Sequence, residues 1–330
     1  MNAPTLADFE AARARIAHIA RRTPLVRAEL DGDAPELWLK LENLQPIGAF
    51  KIRGAANAMM SADRAALAGG VITASAGNMA QGVAWCAREL GVRCRVVVPD
   101  HAPRAKTDAI ERLGGEVHKV PFAEWWQTIV DHRHAGMEGF FVHPFADTAV
   151  MAGNGTIGLE IAEELQDVDA VLVPYGGGGL ACGIAAALRA VSPRTKVYAV
   201  EVETAAPLTA TFAAGAPTTV TRTKTFIDGM GSDRVSDEIW PLVRTLLAGT
   251  VVVSVAQVAA AVKRIAERVH VVAEGAGASP LAAALTLRSG TARGANVEAL
   301  RDAKRVVGIV SGGNLDSDVL ATILRGELPA

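Results

Sequence analysis

Short apolar runs recur along the chain from residue 71 onward, and longer helical stretches separate most of them. The runs span Val71–Ala74, Cys94–Val98, Val117–Val120, Phe140–Val142, Ala170–Val173, Lys196–Val200 and Arg305–Val310. Strands that are apolar throughout and alternate with helices are typical of parallel sheets that helices cover on both faces. The pattern therefore predicts an α/β fold with two open sheets in two lobes.

An amphipathic helix is predicted at the start of the chain. Thr5 and Asp8 resemble a capping motif at its first turn, and Pro24 terminates the pattern. Apolar residues follow at helical spacing. They are Phe9, Ala12, Ile16 and Ile19.

The composition provides ample apolar material for a core and no charge pattern suited to a polyanion. Of the 330 residues, 50% are hydrophobic and 21% are charged, and the formal net charge is -2. A disordered chain would be more polar, and a nucleic-acid or anionic-membrane partner would require a basic block. No apolar stretch reaches the ~18 residues of a membrane span. We expect a soluble globular protein with a small-molecule partner.

The cysteines and the first residues indicate the compartment. Cys86, Cys94 and Cys182 show no C-x-x-C spacing, and three sparse cysteines predict buried free thiols in a reducing compartment. The first residues carry charges of both signs and lack the apolar core of a secretory signal. A cytoplasmic location is therefore expected.

Three polar loops follow predicted strands, where open parallel sheets bind their ligands. They are Ser75–Met79, Pro174–Leu180 and Ser311–Asn314. The second contains four successive glycines, which turn backbone N–H groups toward an anion at the start of a helix. This loop predicts a phosphate site, and no Lys-Ser/Thr pair follows it as in a P-loop. Gly176, Gly178 and Ala181 also fit G-x-G-x-x-A, with Glu201 ending the next strand, so a nicotinamide dinucleotide remains an alternative.

The segment Lys40–Ala55 contains Ala49-Phe50-Lys51 and resembles the pyridoxal-phosphate lysine motif of the threonine dehydratase and serine racemase family. That family has the tryptophan-synthase-β-like fold, fold type II. The family's other loops occur here in the same order: Ser75–Gln81, His143–Pro144, Ala152–Thr156, the tetraglycine loop (Gly176–Gly179), Ala273–Gly277 and Ser311–Asn314. The resemblance implies a small substrate-closing domain, residues 69–147, inserted in a large pyridoxal-phosphate-binding domain, residues 1–68 plus 148–330.

The resemblance also implies a role for individual residues. Those expected to bind the cofactor are Phe50, Lys51, Asn78, Gly176, Gly177, Gly178, Gly179, Leu180, Glu274 and Ser311. Lys51 is the expected Schiff-base lysine and the base that removes the Cα proton. Ser311 is expected to face the pyridine nitrogen, and this neutral partner favours loss of a β-leaving group over transamination. The implied reaction is β-elimination of water, giving a 2-oxo acid and ammonia.

Departures from the family pattern bear on the substrate. The residues expected to contact it are Ser75, Ala76, Gly77, Met79 and Trp126. Racemases of the family carry a second serine where this chain has Ala76, so racemisation is disfavoured. Met79 and Trp126 add apolar surface and suggest a bulky β-substituent, as in L-threo-3-phenylserine. The alternatives are an ordinary L-threonine/L-serine dehydratase, an amino-acid racemase, an NAD(P)-binding oxidoreductase and a non-catalytic member.

The remaining expectations concern metal binding, assembly and regulation. Glu201 is a weak candidate for a cation ligand, because the second acid that relatives place six residues later is Pro207 here, and we predict no metal. The resemblance implies a homodimer. The chain ends soon after Asn314, which predicts a constitutive enzyme without an effector domain.

Overall fold

The computed structural model describes residues 1–29 and 35–329, so residues 30–34 and 330 of the predicted large domain lie outside it. The described strands are β1 (Leu25–Arg27), β2 (Glu36–Lys40), β3 (Val71–Ala74), β4 (Cys94–Pro99), β5 (Gly115–Val120), β6 (Phe140–Phe141), β7 (Ala170–Pro174), β8 (Lys196–Val202), β9 (Gly249–Val253) and β10 (Arg305–Ile309). The described helices are α1 (Leu6–Ile16), α2 (Lys51–Ser61), α3 (Arg64–Leu67), α4 (Asn78–Leu90), α5 (Arg104–Arg112), α6 (Phe122–Asp131), α7 (Thr148–Glu164), α8 (Gly179–Val191), α9 (Pro207–Ala214), α10 (Trp240–Leu246), α11 (Val255–Arg268), α12 (Gly275–Arg288) and α13 (Ser317–Leu324).

Two open sheets organise these elements, and the predicted α/β class is confirmed. The larger sheet has the order β1-β2-β10-β7-β8-β9, in which β1 is antiparallel to β2 and the other pairs are parallel. The smaller sheet has the order β5-β4-β3-β6 and is parallel throughout. Every predicted apolar run forms a strand, and β3, β4, β7 and β8 are buried on both faces along almost their whole length.

The smaller sheet comes from one continuous part of the chain, whereas the larger sheet takes strands from both sides of it. The core of the smaller sheet, however, also includes residues that precede the predicted domain boundary at residue 69. Ile52 and Met59 of α2 pack in the same apolar cluster as Val71 and Val96 of the sheet. The domain boundaries stay a prediction, and α2 contributes to the packing on both sides of them.

The first helix begins as the sequence predicts. Thr5 caps α1 and forms a capping box with Asp8, which satisfies N–H groups of the first turn. The helix ends at Ile16, eight residues before Pro24, so the buried Ile19 lies beyond it.

The apolar stretch from residue 249 to 262 is divided by a single polar residue. Ser254 ends β9 and caps α11, and Gln257 completes a second capping box. Periodicity did not separate these two elements, and β9 was not predicted. No described helix has the length and apolar character needed to cross a membrane.

Candidate active site

Lys51 is the first residue of α2, and Phe50 is its N-cap. Helix α2 packs closely between α4 and α7 because glycines lie at the crossings. A Cβ on Gly82 would lie 3.3 Å from the backbone of Lys51, and one on Gly153 would lie 2.3 Å from the carbonyl oxygen of Arg53. The first turn of α2 is thus held from both sides, at Lys51 by α4 and at Arg53 by α7.

The amine of Lys51 lies in a partly buried position, where its Nζ donates a hydrogen bond of 2.7 Å to the backbone oxygen of Pro144. Burial lowers the pKa of Lys51 to about 8, and the carboxyl of Glu274 acts in the opposite direction. The lowered pKa increases the fraction of neutral amine near neutral pH, and the neutral amine is the form that a nucleophile or a base requires.

A buried ionic network lies on the other side of α2. Arg53 donates hydrogen bonds to the carboxylates of Glu42 and Glu160, and Lys40 bonds to Glu160 at 2.7 Å. All four side chains are buried and their formal charges cancel. Charges taken out of water in this way must be paired, so the network fixes α2 relative to β2 and α7.

The tetraglycine loop forms the start of α8. Gly178 is the N-cap with a φ of +87°, and a Cβ on Gly177 would lie 2.2 Å from the ring of Phe145. Within the described residues, the backbone N–H groups from Gly176 to Ala181 donate to no other part of the chain. Unpaired N–H groups at a helix N-terminus bind anions, and the residues present therefore fit the phosphate of pyridoxal phosphate.

Glu274, Asn78 and Asn314 form a chain of hydrogen bonds. Asn78 Nδ2 donates to Glu274 Oε1 at 2.9 Å, and Asn314 Nδ2 donates to Asn78 Oδ1 at 2.8 Å. Burial raises the pKa of Glu274 to about 7, while the bond from Asn78 lowers it and the charge of Asp228 raises it. The expected role of Asn78 in binding the cofactor stays a prediction.

Backbone pairing joins the lysine segment to the end of β10. Phe50 N donates to Ser311 O at 3.0 Å, Ala49 pairs with Gly312, and Glu274 N donates to Gly312 O at 2.9 Å. The predicted residues Phe50, Lys51, Asn78, Glu274 and Ser311 are therefore brought together. A loop containing Gly229 lies between Glu274 and Gly176. This loop connects the five residues to the tetraglycine loop and to Leu180, which follows it.

The predicted substrate residues divide into two groups. Ser75, Ala76 and Gly77 are half-buried in the loop after β3, where Gly77 N donates to Ser75 Oγ at 3.2 Å. Met79 is only 1% exposed and packs in the core of the smaller sheet. It therefore offers a substrate almost no surface, because the first turn of α4 directs it inward.

Trp126 is 47% exposed, whereas its neighbour Trp125 is half-buried and packs against the smaller sheet. Adjacent residues of a helix cannot share one face, and the residue that faces inward is Trp125 rather than the predicted substrate residue Trp126. The buried face of α6 is set by Trp125, Thr128 and Ile129, which share one side of the helix, and Trp126 is rotated away from it.

Glu201 is committed to a structural role. Its carboxylate accepts bonds from Leu208 N at 2.7 Å and Thr209 N at 2.8 Å, at the start of α9. Burial raises the pKa of Glu201 and these bonds lower it. Among the described residues, no group of three or more His, Cys, Asp or Glu could hold a metal ion. The three cysteines are buried and free, as predicted.

Sequence reasoning assigned no role to two parts of the site. One is the turn at His143 and Pro144, which follows a predicted strand and could have been found by the same rule as the other loops. The second is Asp228, in the irregular segment before α10, which forms an ion pair with Lys106 of α5. No strand signal leads to Asp228.

Known proteins resemble this chain along most of its length. The family profile described as "Pyridoxal-phosphate dependent enzyme" matches residues 16–312. The L-threonine ammonia-lyase of Geobacter sulfurreducens is 39% identical over 320 residues, which cover 96% of this chain and 77% of that protein. Among solved structures, maize serine racemase matches with a TM-score of 0.89 and 31% identity, covering 98% of both chains. Processed threonine deaminase isoform 2 of Solanum lycopersicum matches with a TM-score of 0.84 and 32% identity, covering 97% of this chain and 86% of that one.

Proposed function

We infer, because this chain belongs to the family of pyridoxal-phosphate-dependent enzymes, that it is an ammonia-lyase acting on β-hydroxy-α-amino acids. It eliminates water from a substrate such as L-threonine, and hydrolysis of the released enamine by one water molecule gives a 2-oxo acid and ammonia. The observation that carries this proposal is the buried amine of Lys51, with its lowered pKa, in the same site as a row of unpaired backbone N–H groups. Relatives named as threonine ammonia-lyase and threonine deaminase support the reaction type.

Different residues of this chain bind the cofactor, move the proton and hold the substrate. Gly176–Leu180 bind the phosphate through backbone N–H groups, and Lys51 binds the cofactor and moves the Cα proton. Pyridoxal phosphate, when bound, supplies an electron-withdrawing ring that acidifies the Cα–H bond. Ser311, buried after β10, is a neutral partner for the ring nitrogen and favours elimination. The loop from Ser75 to Gly77 is suited to holding the substrate carboxylate.

Two alternatives lose support from particular residues. Racemisation needs an acid opposite Lys51, and Ala76 offers no proton in the loop after β3. Dinucleotide binding needs a free carboxylate for a ribose hydroxyl, but that of Glu201 is bonded to the start of α9.

A bulky substrate such as L-threo-3-phenylserine remains the finer hypothesis, and α6 supports it. This helix follows β5, so its first turns lie at the carboxyl edge of the smaller sheet, the edge that carries Ser75. Phe122 lies 5.3 Å from the ring of Trp125, which lies 6.2 Å from that of Trp126. The buried position of Met79 opposes the hypothesis, and ordinary L-threonine or L-serine dehydration is the competing proposal.

The test is release of oxo acid and ammonia by the purified holoenzyme from L-threonine, L-serine and L-threo-3-phenylserine. We expect stoichiometric release of both products by the wild type and none by Lys51→Ala. Turnover of phenylserine at the highest kcat/KM supports the bulky-substrate hypothesis, and equal turnover of threonine contradicts it. Absence of oxo acid from all three substrates, with the cofactor bound, contradicts the dehydratase proposal.

A homodimer is also proposed on the family resemblance, and a cytoplasmic location on the three buried free thiols, which suit a reducing compartment. Light scattering on the eluting holoenzyme measures the mass in solution. A mass of twice the 34.3 kDa chain is expected, and a mass of one chain contradicts the dimer.

A further inference from the structure

The amine of Lys51 has a specific acceptor in this structure, the backbone oxygen of Pro144 at 2.7 Å. Pro144 lies in the turn between β6 and α7, in a part of the chain remote in sequence from α2. A backbone carbonyl can only accept hydrogen bonds, so it stabilises the charged amine more than the neutral one. The position of this one carbonyl therefore affects how readily Lys51 gains and loses a proton.

His143 holds this turn in place. Its Nδ1 accepts hydrogen bonds from the backbone N–H groups of Phe145 at 3.2 Å and Ala146 at 2.7 Å, the two residues that directly follow Pro144 in the chain. Because Nδ1 is the acceptor in both bonds, the ring proton is assigned to Nε2. Proline has no N–H, so the two groups that His143 binds are the donors that follow it in the turn.

The ring of His143 is itself firmly packed. It is 3% exposed, with the ring of Phe145 at 4.7 Å and that of His132 at 4.4 Å. Burial, together with the nearby charges of His132 and Lys51, lowers the pKa of His143 to about 3. Nδ1 consequently remains an acceptor throughout the neutral pH range.

We propose that His143 is a positioning residue for the cofactor lysine: it fixes the turn so that the oxygen of Pro144 receives the amine of Lys51 whenever that amine is free. Lys51 is then held at one point of the site while it exchanges a proton. The proposal rests on the proposed function only for the identity of Lys51 as the cofactor lysine. It concerns a residue that touches neither substrate nor cofactor and acts through Pro144.

The test compares three substitutions at one position. His143→Ala removes the acceptor, His143→Asn keeps an oxygen near the place of Nδ1, and His143→Gln moves the polar group toward the place of Nε2. His132→Ala is the matched control, because it removes a ring that packs on His143 and leaves both backbone bonds in place. Circular dichroism of each apoprotein establishes that it is folded.

The readout is the pKa of Lys51 in the apoprotein, measured by reductive methylation with labelled formaldehyde over a range of pH and by mass spectrometry of the peptide. Glu274 is the charged group that faces the amine and is unchanged in all variants. We expect a value near 8 for the wild type, His143→Asn and His132→Ala. In His143→Ala and His143→Gln the loss of a well-placed acceptor lowers it by about one unit.

An unchanged pKa in a folded His143→Ala protein overturns the proposal. If that variant does not fold, equal values for His143→Asn and His143→Gln overturn it instead. Because the readout uses the apoprotein, it is independent of the reaction. A wild-type holoenzyme that releases no oxo acid refutes the proposed function and leaves the comparison of Lys51 between variants intact.

Discussion

Lys51 and Glu274 are ionisable residues in one site whose pKa values are displaced toward each other. Burial lowers the pKa of the lysine to about 8 and raises that of the glutamic acid to about 7. Each shift favours the neutral form of its group, because charge is costly in a site with little water. Near neutral pH, a proton is therefore easily gained or lost at both positions.

The variant Glu274→Gln tests how the raised pKa of Glu274 affects the free energy of unfolding. The folded protein binds the proton of Glu274 more tightly than the unfolded chain, so between about pH 4.5 and 7 this group reduces stability as the pH rises. We expect Glu274→Gln to lack this decline and to exceed the wild type by up to about 3 kcal/mol above pH 7. Urea unfolding of both apoproteins at pH 5 to 8 measures the difference. Parallel curves would show that Glu274 has an ordinary pKa in the fold.

The tryptophan pair shows what the sequence can and cannot supply at this scale. Helical periodicity requires Trp125 and Trp126 to point in different directions, and that much could be predicted. Which of them faces the smaller sheet depends on how α6 is rotated against β3 and β4. This rotation is set by contacts of Ile129 and Trp125 with strands far away in sequence.

At the scale of elements, the loop before α8 gives a prediction with an internal control. A Cβ on Gly177 would overlap the ring of Phe145, whereas one on Gly176 would approach no atom closer than 3.6 Å. We expect Gly177→Ala to destabilise the apoprotein by about 1–3 kcal/mol through overpacking and to weaken cofactor binding. Gly176→Ala should leave the unfolding midpoint near that of the wild type. Fluorescence titration and urea unfolding measure both effects, and equal behaviour of the two variants would contradict the packing.

Helix α2 depends on the ionic network beneath it. Arg53→Met leaves the buried carboxylates of Glu42 and Glu160 without their partner, and removing one member of a buried pair costs about 3–5 kcal/mol. The control is Arg93→Met, which breaks an exposed pair with Glu116 and should change little. Denaturant unfolding of the two variants compares them directly. A small effect of Arg53→Met would mean that water or another cation replaces the guanidinium.

The strands that could be predicted are those whose runs are apolar on both faces, such as β7 and β10. The strand β2 was missed because Glu36 and Lys40 stand at its ends and Lys40 resembles a solvated residue in the sequence. In the structure Lys40 is 0% exposed and bonded to Glu160, a partner that only the tertiary fold supplies. The strand β9 was missed because one polar residue, Ser254, is all that separates it from α11 and its apolar face.

At the scale of the molecule, one ion pair and one histidine–glutamate contact join the predicted small domain to the segment before α10. Lys106 bonds to Asp228, and His132 Nε2 lies 3.7 Å from Glu238 Oε2. All four side chains are substantially exposed, so each pair contributes little to stability. Their position matters more, because both connect parts of the chain that border the site.

The pair of Lys106 and Asp228 predicts opposite shifts in the pKa of Glu274 when either charge is removed. The charge of Asp228 raises the pKa of Glu274 and that of Lys106 lowers it. In Asp228→Asn the stability decline that depends on Glu274 should move to lower pH, and in Lys106→Gln it should move to higher pH. The free energy of unfolding of each variant is measured against pH and compared with that of the same variant carrying Glu274→Gln as well. The difference between the two isolates the decline that depends on Glu274. If the decline moved in the same direction in both variants, the opposite effects of Asp228 and Lys106 on the pKa of Glu274 would be contradicted.

The overall fold was predictable because two signals agreed. The apolar runs required parallel sheets, and the motif around Lys51 matched a family whose fold type II is confirmed by the solved structures. The position of Asp228 was not predictable, because the segment that carries it has neither strand nor helix periodicity. Its place beside Gly176 and Glu274 follows from packing of Ile227 and Met230 in the core of the larger sheet.

The unpaired N–H groups at the start of α8 have a consequence for handling the protein. Inorganic phosphate suits the same donors as the phosphate of the cofactor, and ligands that share a site exclude each other. A ligand present at 100 times its Kd raises the apparent free energy of unfolding by about 2.7 kcal/mol. Apoprotein kept in phosphate buffer should therefore melt at a higher temperature, and regain its cofactor more slowly, than the same protein in an amine buffer.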